Sequence, residues 1–297
     1  MSDTVHNTAH NNDKEASRPE AVAPRRLPFT SGQVLLVLGL VMLALMAVVT
    51  IFAPLIAPYD PALTSASSLA APSAEHLLGT DSIGRDVLSR LIVGGRTTLL
   101  ITSVAVFLAL AAGLVLGLLS GYVGGIVDDV IMRVLDVIFA FPVFLLAIAV
   151  VAGLGPSVPN LILTIAIVYT PAMARVVRGP VLSVKQWDHV EAARSIGMSE
   201  LRIVLRHVLP MVVSPIVVAT SLTLAQTIFT ITALSFLGLG PPPPDPNWGG
   251  MLAEARQFME LAPLTVIAPA GAIVFATLTF IVLANGLREV LDVGSVR

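Results

Sequence analysis

The sequence contains no cysteine, and only 12% of its residues are charged. The lack of thiols excludes disulfides and thiolate metal sites. Soluble domains carry roughly 25% charged residues, so most of this chain is expected to lie in lipid or in a helix bundle within lipid. Basic and acidic residues nearly balance, 17 against 19, which leaves no electrostatic footprint for a nucleic-acid partner.

Apolar residues are abundant, at 56% of the total, and they are gathered into long runs without Asp, Glu, Lys or Arg. A helix needs roughly 20 such residues to cross about 30 Å of hydrocarbon. The third run is much longer, but Gly153, Gly155, Pro156 and Pro159 cannot all lie inside one helix. The sequence therefore predicts an all-α polytopic membrane protein with about six transmembrane helices. The runs are 34–59, 97–127, 137–174, 207–244 and 261–287.

These runs divide the chain into predicted segments. The polar N-terminal composition cannot bury a core, which predicts disorder. The first apolar run is longer than the apolar core of a signal peptide, which has roughly 7–15 residues, and this predicts an uncleaved anchor. The predicted segments are a disordered cytoplasmic tail at 1–30, the first transmembrane helix at 31–57, an extracytoplasmic segment at 58–95, a five-helix core at 96–290 and a cytoplasmic tail at 291–297.

The segment 58–95 is predicted to end in an amphipathic helix in the membrane interface. Its apolar residues recur at helical spacing, whereas Arg85 and Arg90 would face away from them. Asp81 or Ser82 is a candidate N-cap. Such a helix would either contact an external partner or close the bundle, and the spacing does not separate the two.

Within the core, Gly113, Gly117, Gly121 and Gly125 recur every four residues. A strip of glycines lets a neighbouring helix approach closely, either within this subunit or from a second one. It does not indicate a binding pocket.

Charged residues open the third predicted span. Asp129, Arg133 and Asp136 share one helical face, and Asp129 is expected to pair with Arg133. Placement at the cytoplasmic interface avoids the cost of about 2.5–3.5 kcal/mol for a charge at mid-bilayer. A proton relay is the alternative, but no other carboxylate or histidine lies deeper in a span.

The predicted outer loop 237–262 contains four consecutive prolines, which favour a stiff polyproline II segment. Trp248 follows them. Tryptophan is typical of headgroup boundaries, so an interfacial anchor is predicted there.

The basic residues are concentrated on the side of the membrane that holds both predicted termini, above all between Arg175 and Arg206. The positive-inside rule therefore places the termini and this loop in the cytoplasm. In the loop, Asp188 and Glu191 are predicted to form a capping box. Gly197 is predicted to end the short helix as a left-handed C′ residue.

A second helix, capped by Ser199, is predicted to run to Pro210 and on into the fifth span. The small apolar face of the first helix, formed by Ala192, Ala193 and Ile196, would suit a partner's groove. An ordinary interfacial connector is the alternative, and length and charge alone leave the two equal.

The segment EAARSIG followed by LP resembles the EAA motif of ABC importer permeases, although His207 stands where that motif has a hydrophobic residue. Three further segments resemble the C-type subunits of the dipeptide, oligopeptide and nickel branch: GTDSIGRDVLSRLIVGGRT, SGYVGGIVDDVIMRVLDVIFAFP and ALSFLGLGPPPPDPNWGGML. The likeness covers about residues 30 to 293. The motif residues are Glu191, Ala192, Ala193, Gly197, Leu209 and Pro210.

The resemblance implies a type I ABC importer permease fold, in which the loop 179–208 carries the coupling helix that seats in an ATPase subunit. It implies a translocation subunit in the bacterial inner membrane that imports a peptide or a related solute such as nickel. The implied partners are a homologous B-type permease forming a heterodimer, two ABC ATPases, an extracytoplasmic solute-binding protein and membrane lipid.

The sequence contains no G-x-x-x-x-G-K-[ST] phosphate loop, so ATP is expected to be used by partner subunits. No catalytic residue, no metal ligand and no directly bound cofactor is predicted.

Two other function classes are the alternatives to an ABC importer permease. An ion-coupled secondary transporter acting without ATPases would need ionisable groups near the bilayer midplane, and the spans offer none. A membrane-embedded enzyme would need a reactive constellation inside the spans, but His76, His189 and His207 all lie in loops or at span ends.

Overall fold

The computed structural model describes residues 31–294, with side chains as far as Leu291. The predicted tail at 1–30 and residues 295–297 lie outside the described residues, whereas 291–294 continue the last helix instead of forming a tail. The described part is helical apart from turns and two isolated β-bridges. Its helices are α1 Ser31–Ile51, α2 Ala53–Ile56, α3 Val87–Val123, α4 Gly125–Phe139, α5 Val143–Leu154, α6 Val158–Val184, α7 Asp188–Ser195, α8 Glu200–Ile203, α9 Leu209–Phe236, α10 Trp248–Ala255 and α11 Leu264–Gly294.

Five helical segments are long and apolar enough to cross a membrane, and α4 with α5 makes a sixth if that bent pair is counted as one span. The all-α polytopic architecture is therefore confirmed. The two helices of the pair meet at an angle of 84°. The bend follows from Pro142, because a proline ring disfavours the helical conformation at the residue before it.

Helices α3 and α6 pack closely along their length, and three glycines make this approach possible. Gly113, Gly117 and Gly121 of α3 face Met173, Ala174, Val177 and Val181 of α6. A Cβ atom added to Gly117 would lie 2.6 Å from both the Ala174 carbonyl oxygen and the Val177 Cβ. The strip is thus used for packing within this chain. Gly125 does not belong to it, because that residue begins α4 and faces open space.

A second glycine-mediated crossing, which the spacing of the glycines does not predict, joins α1 to α11. A Cβ atom on Gly39 would lie 2.8 Å from the Leu283 Cα, and one on Gly286 would meet the backbone of Leu36. Close backbone approach of this kind is the usual basis of helix association in lipid. The first span is therefore attached to the last one.

The prediction of an amphipathic interfacial helix near residue 81 is wrong. The helix begins only at Val87. Asp86 is its N-cap and accepts a hydrogen bond from the Ser89 N–H, and the helix continues without a break as α3. Arg85 and Arg90, expected to face away from the bundle, are 8% and 3% exposed. Both are buried because carboxylates of this chain neutralise them.

The prediction that Trp248 anchors the chain at the headgroup boundary is also wrong. The residue is 6% exposed, and its indole packs against Gly95 in α3. Its Nε1–H donates to the Leu91 carbonyl at 3.0 Å. The proline segment before it leads into α10, a helix that lies within the predicted outer loop 237–262. Trp248 therefore fastens α10 to the N-terminal end of α3.

Replacing this indole is expected to weaken the packing of α10 against α3. Trp248→Ala should destabilise the fold by about 3–5 kcal/mol, as large-to-small core substitutions do. Trp248→Phe keeps most of the ring volume and should cost about 1 kcal/mol through the lost hydrogen bond. Thermal unfolding of the two purified variants in detergent measures both effects. Equal midpoints for Trp248→Ala and the parent protein would contradict a core role.

Candidate functional site: the loop between α6 and α9

The loop after α6 forms a helical hairpin whose turn depends on one glycine. Gly197 has φ +79°, the left-handed conformation that was predicted for it. Its N–H donates to the Arg194 carbonyl at 3.0 Å, and the Met198 N–H donates to the Ala193 carbonyl at 3.2 Å. This pair of bonds is a Schellman motif, which satisfies the last carbonyls of α7.

The predicted capping box is wrong. Trp187 is the N-cap of α7, with φ −77° and ψ 145°, and no side chain caps this helix. Asp188 already lies in the first turn together with Glu191, where both carboxylates interact favourably with the positive end of the helix dipole. Ser199 stands at the N-cap of α8, but its hydroxyl makes no capping hydrogen bond.

The second helix of the hairpin runs directly into the fifth span. A π-turn over Val204–Val208 joins α8 to α9, with the Leu209 N–H bonded to the Val204 carbonyl. Pro210 explains the turn, because a proline has no N–H and its ring clashes with the carbonyl one helical turn earlier. Leu209 and Pro210 of the motif therefore mark the junction between the loop and the membrane-spanning part.

Apolar packing holds the hairpin against the bundle. Val190 and Ala193 of α7 are 0% and 5% exposed, and they belong to the same buried cluster as Ile203, Val181 and Val208. The cluster thus contains residues of α6, α7, α8 and the π-turn. Ala193 faces inward, which corrects the prediction that it forms part of a partner-facing surface.

Polar contacts attach the hairpin to α3 as well. Arg194 donates from Nε to Glu200 Oε1 at 3.2 Å and from Nη2 to the Tyr122 hydroxyl at 3.3 Å. The Tyr122 hydroxyl also bonds to Glu200 Oε2. The hydrogen bond to Tyr122, followed by that to Glu200, raises the pKa of Arg194 above its ordinary value. Lys185 Nζ donates to the Gly121 carbonyl at 2.7 Å, so α6 is also joined to the end of α3.

The remaining motif residues lie on the outside of the hairpin. Glu191, Ala192 and Gly197 are exposed. Ile196 was predicted for the partner-facing surface and is 79% exposed. Leu201 was not predicted for this surface, but it is 69% exposed. An apolar residue at a helical position ordinarily indicates burial, so no local signal in the sequence identified Leu201 as a surface residue.

The charges on α4 pair with α6 instead of with each other. Arg178 donates from Nε and Nη2 to the two carboxylate oxygens of Asp128, at 2.7 and 2.5 Å, and Arg175 donates to Asp136 at 2.7 Å. No ion pair joins Asp129 to Arg133 within residues 31–294, so that prediction is wrong. A bidentate guanidinium–carboxylate pair is stronger than an exposed pair along one helix.

Among the side chains that the structure describes, no group of three or more His, Cys, Asp and Glu could hold a metal ion.

Comparison with known families agrees with this geometry. Residues 113–294 match the model of the binding-protein-dependent transport system inner membrane component family. Residues 33–72 match the N-terminal transmembrane domain of oligopeptide transport permease C.

Individual relatives extend the likeness over most of the chain. The glutathione transport system permease protein GsiD of Escherichia coli O157:H7 is 49% identical over 84% of this chain and 82% of its own length. GsiD of Shigella flexneri serotype 5b is 50% identical over the same shares. A chain of the MetNI methionine ABC transporter in an inward-facing conformation has a similar fold, with a TM-score of 0.54. It is 20% identical and covers 69% of this chain and 96% of its own.

These matches favour the importer over a secondary transporter working alone, for which no comparison gives support. The chain belongs to the family of binding-protein-dependent transport system inner membrane components, and it is a permease subunit of an ABC importer.

Proposed function

We propose that separate ATPase subunits drive this permease through the α7–α8 hairpin and that the transported solute is a small peptide. The main support is the combination of a hairpin packed rigidly against α6 and α9 with apolar side chains left exposed on its outer surface. A rigid projection of this kind transmits the movement of a docked domain to the two helices that carry it.

The docking surface is the part of the hairpin that the chain itself leaves uncovered. It consists of Glu191, Ala192, Ile196 and Leu201, which we call the hairpin patch. Exposed apolar side chains such as Ile196 and Leu201 gain about 25 cal/mol for each Å² that a partner removes from water. Glu191 at the helix N-terminus adds a charge that can select the partner.

The assembly follows from the family. The chain would pair with a homologous B-type permease and bind two ATPases, which use the ATP, while a solute-binding protein delivers the solute from outside. We place both termini and the hairpin in the cytoplasm, on the side where basic residues concentrate. In this arrangement the chain itself carries no catalytic residue and binds no cofactor directly.

The solute class rests on the relatives. The GsiD proteins are described as glutathione transport permeases, and they are 49–50% identical to this chain over 250 residues. We therefore propose that the solute is a short peptide and that glutathione is the first compound to test.

Ile196→Asp is expected to abolish co-purification of the ATPase subunits while leaving the permease intact. The side chain is 79% exposed, so the change should not affect folding, but a carboxylate in a desolvated interface costs several kcal/mol. The measurement is the ATPase recovered with the tagged permease in mild detergent, together with uptake of labelled glutathione by cells expressing the complete transporter.

Leu261→Asp is the matched control, because Leu261 is 75% exposed and lies between α10 and α11, outside the hairpin. It should leave ATPase recovery and uptake unchanged. Normal ATPase recovery with Ile196→Asp would reject the hairpin patch as the docking surface. Failure of the parent transporter to take up glutathione or any other short peptide would reject the proposed solute class.

A further inference from the structure

A cavity of about 260 Å³ with a mixed apolar and charged lining lies beside α10. Its lining includes residues of the proline segment from Gly238 to Pro243 and of the first two turns of α10. Three charged residues line it, namely Arg90, Asp245 and Glu254. The cavity is separate from the hairpin patch, which lies at the other end of α9.

The charges behind the cavity form a closed ring. Arg85 contacts Asp81 and Glu254 at 2.6 Å each, and Arg90 contacts the same two carboxylates at 2.9 and 2.8 Å. Two guanidinium groups and two carboxylates cancel, so the ring itself has no net charge. Asp245 is not part of the ring, and its carboxylate therefore leaves the cavity with one uncompensated negative charge.

Glu254 has one oxygen free for a ligand. Both arginines bond to its Oε2, and among the described residues none donates to its Oε1. Its side chain is 38% exposed, which leaves it accessible from the cavity. Burial, with Asp81 as a further contributor, raises the pKa of Glu254 above its usual range, as happens when a carboxylate lacks part of its solvation.

A second, independent feature is a buried hydroxyl without a partner. Ser235 of α9 lines the cavity and is 4% exposed. In the part of the chain that the structure describes, no group bonds to its Oγ. Leaving a buried polar atom without a hydrogen bond costs roughly 1–3 kcal/mol of stability. Such an atom is therefore commonly bonded to water or to a ligand.

We propose that this cavity binds the primary ammonium group of the transported peptide. The proposal rests on the peptide-import function above and names the part of the solute that this subunit recognises. An ammonium group has three donors and one positive charge. It would donate to Glu254 Oε1 and, after rotation of the Ser235 side chain toward the cavity, to Ser235 Oγ, while its charge balances Asp245. The ring holds Glu254 in place, so the acceptor is positioned before the solute arrives.

The absence of cysteine makes a direct test straightforward, because one introduced thiol is unique in this chain. Ala253 lines the cavity and is half-buried, so Ala253→Cys places a thiol there with little change of volume. The purified transporter complex is treated with a cationic ethylammonium and an anionic sulfonate methanethiosulfonate reagent. Relative to Ala74→Cys, an exposed reference thiol, we expect the cationic reagent to be favoured about tenfold at Ala253→Cys.

Protection by solute tests the ammonium specifically. Trialanine should slow the labelling of Ala253→Cys, whereas N-acetyl-trialanine, which has the same backbone without the charge, should not. Combining Ala253→Cys with Asp245→Asn should reduce the preference for the cationic reagent by at least about threefold. Glu75→Gln removes an equal charge from an exposed position outside the cavity and should leave the preference unchanged.

Equal labelling by the two reagents, or equal protection by trialanine and its acetylated form, would overturn the proposal. Protection by the solute-binding protein without any peptide would also overturn it, because a protein side chain would then fill the cavity. Labelling does not require transport. Cation preference and protection by trialanine in a transporter that takes up no peptide would therefore uphold the ammonium site and reject the proposed import function instead.

Discussion

Gly117→Val is expected to prevent accumulation of folded permease in the membrane. A Cβ atom at this position would lie 2.6 Å from the Ala174 carbonyl oxygen, and a backbone atom cannot move aside as a flexible side chain can. Overpacking a close-packed core typically costs about 1–3 kcal/mol, and a branched side chain between two backbones belongs at or above the upper end. The measurement is the yield of monodisperse protein extracted in mild detergent.

Gly179→Val is the matched control, because Gly179 lies on α6, the other helix of the same pair. A Cβ atom there meets nothing within 4 Å, and the residue is exposed. This variant should accumulate like the parent protein. If both variants accumulated normally, the contact between α3 and α6 would not depend on the glycine strip.

Gly197→Val should leave the permease folded and inserted but reduce uptake strongly. Nothing lies within 4 Å of a Cβ atom at Gly197, so the effect arises only from its φ of +79°. That conformation costs a residue with a side chain about 1–2 kcal/mol, and a β-branched one more. Since about 1.4 kcal/mol corresponds to a factor of ten, we expect uptake to fall by about tenfold or more.

Gly197→Asn separates the turn geometry from simple loss of glycine, because asparagine tolerates the left-handed conformation better than other residues. It should restore most of the uptake, with both variants recovered from the membrane in equal amounts. If Val and Asn at this position gave the same uptake as glycine, the shape of the turn would have no part in coupling.

The spans and the turn at Gly197 could be predicted because each depends on local information. A run without charges needs only its own residues to partition into lipid. A glycine after a short amphipathic helix likewise indicates its own left-handed conformation. The position of the bend at Pro142 was missed because the run continues apolar through it, and a hydropathy pattern does not show an 84° change of direction.

The errors concern residues whose partners are distant in the sequence. Arg85 was expected to face away from the bundle, since nothing near it showed that Glu254, 169 residues away, would neutralise it. Asp129 was paired with its helical neighbour Arg133, whereas Asp128 and Asp136 pair with arginines on α6. Trp248 was assigned to a headgroup boundary because Gly95, which accommodates its ring, lies in another span.

In the candidate site, too, local features could be predicted, whereas features that depend on distant residues could not. Residue types identified the EAA motif, but they did not show that Ala193 faces the core while Ile196, three residues later, faces outward. The predicted N-cap position was wrong by one residue, because Trp187 rather than Asp188 has the extended backbone conformation of an N-cap. Hydrogen-bond geometry at a helix start is decided by the chain before it, which here is the end of α6.

The π-turn between α8 and α9 keeps the two helices in one continuous segment that can tilt as a unit. Because the helix does not stop at the turn, one segment of 37 residues runs from Glu200 to Phe236. At 1.5 Å per residue this rod is about 55 Å long, so a tilt of about 5° about one end displaces the other by about 5 Å. Glu200 accepts a hydrogen bond from Arg194 of α7 at one end, and Ser235 lines the cavity at the other. A small rotation imposed on the hairpin would thus reshape the ammonium cavity without any signal passing through intermediate side chains.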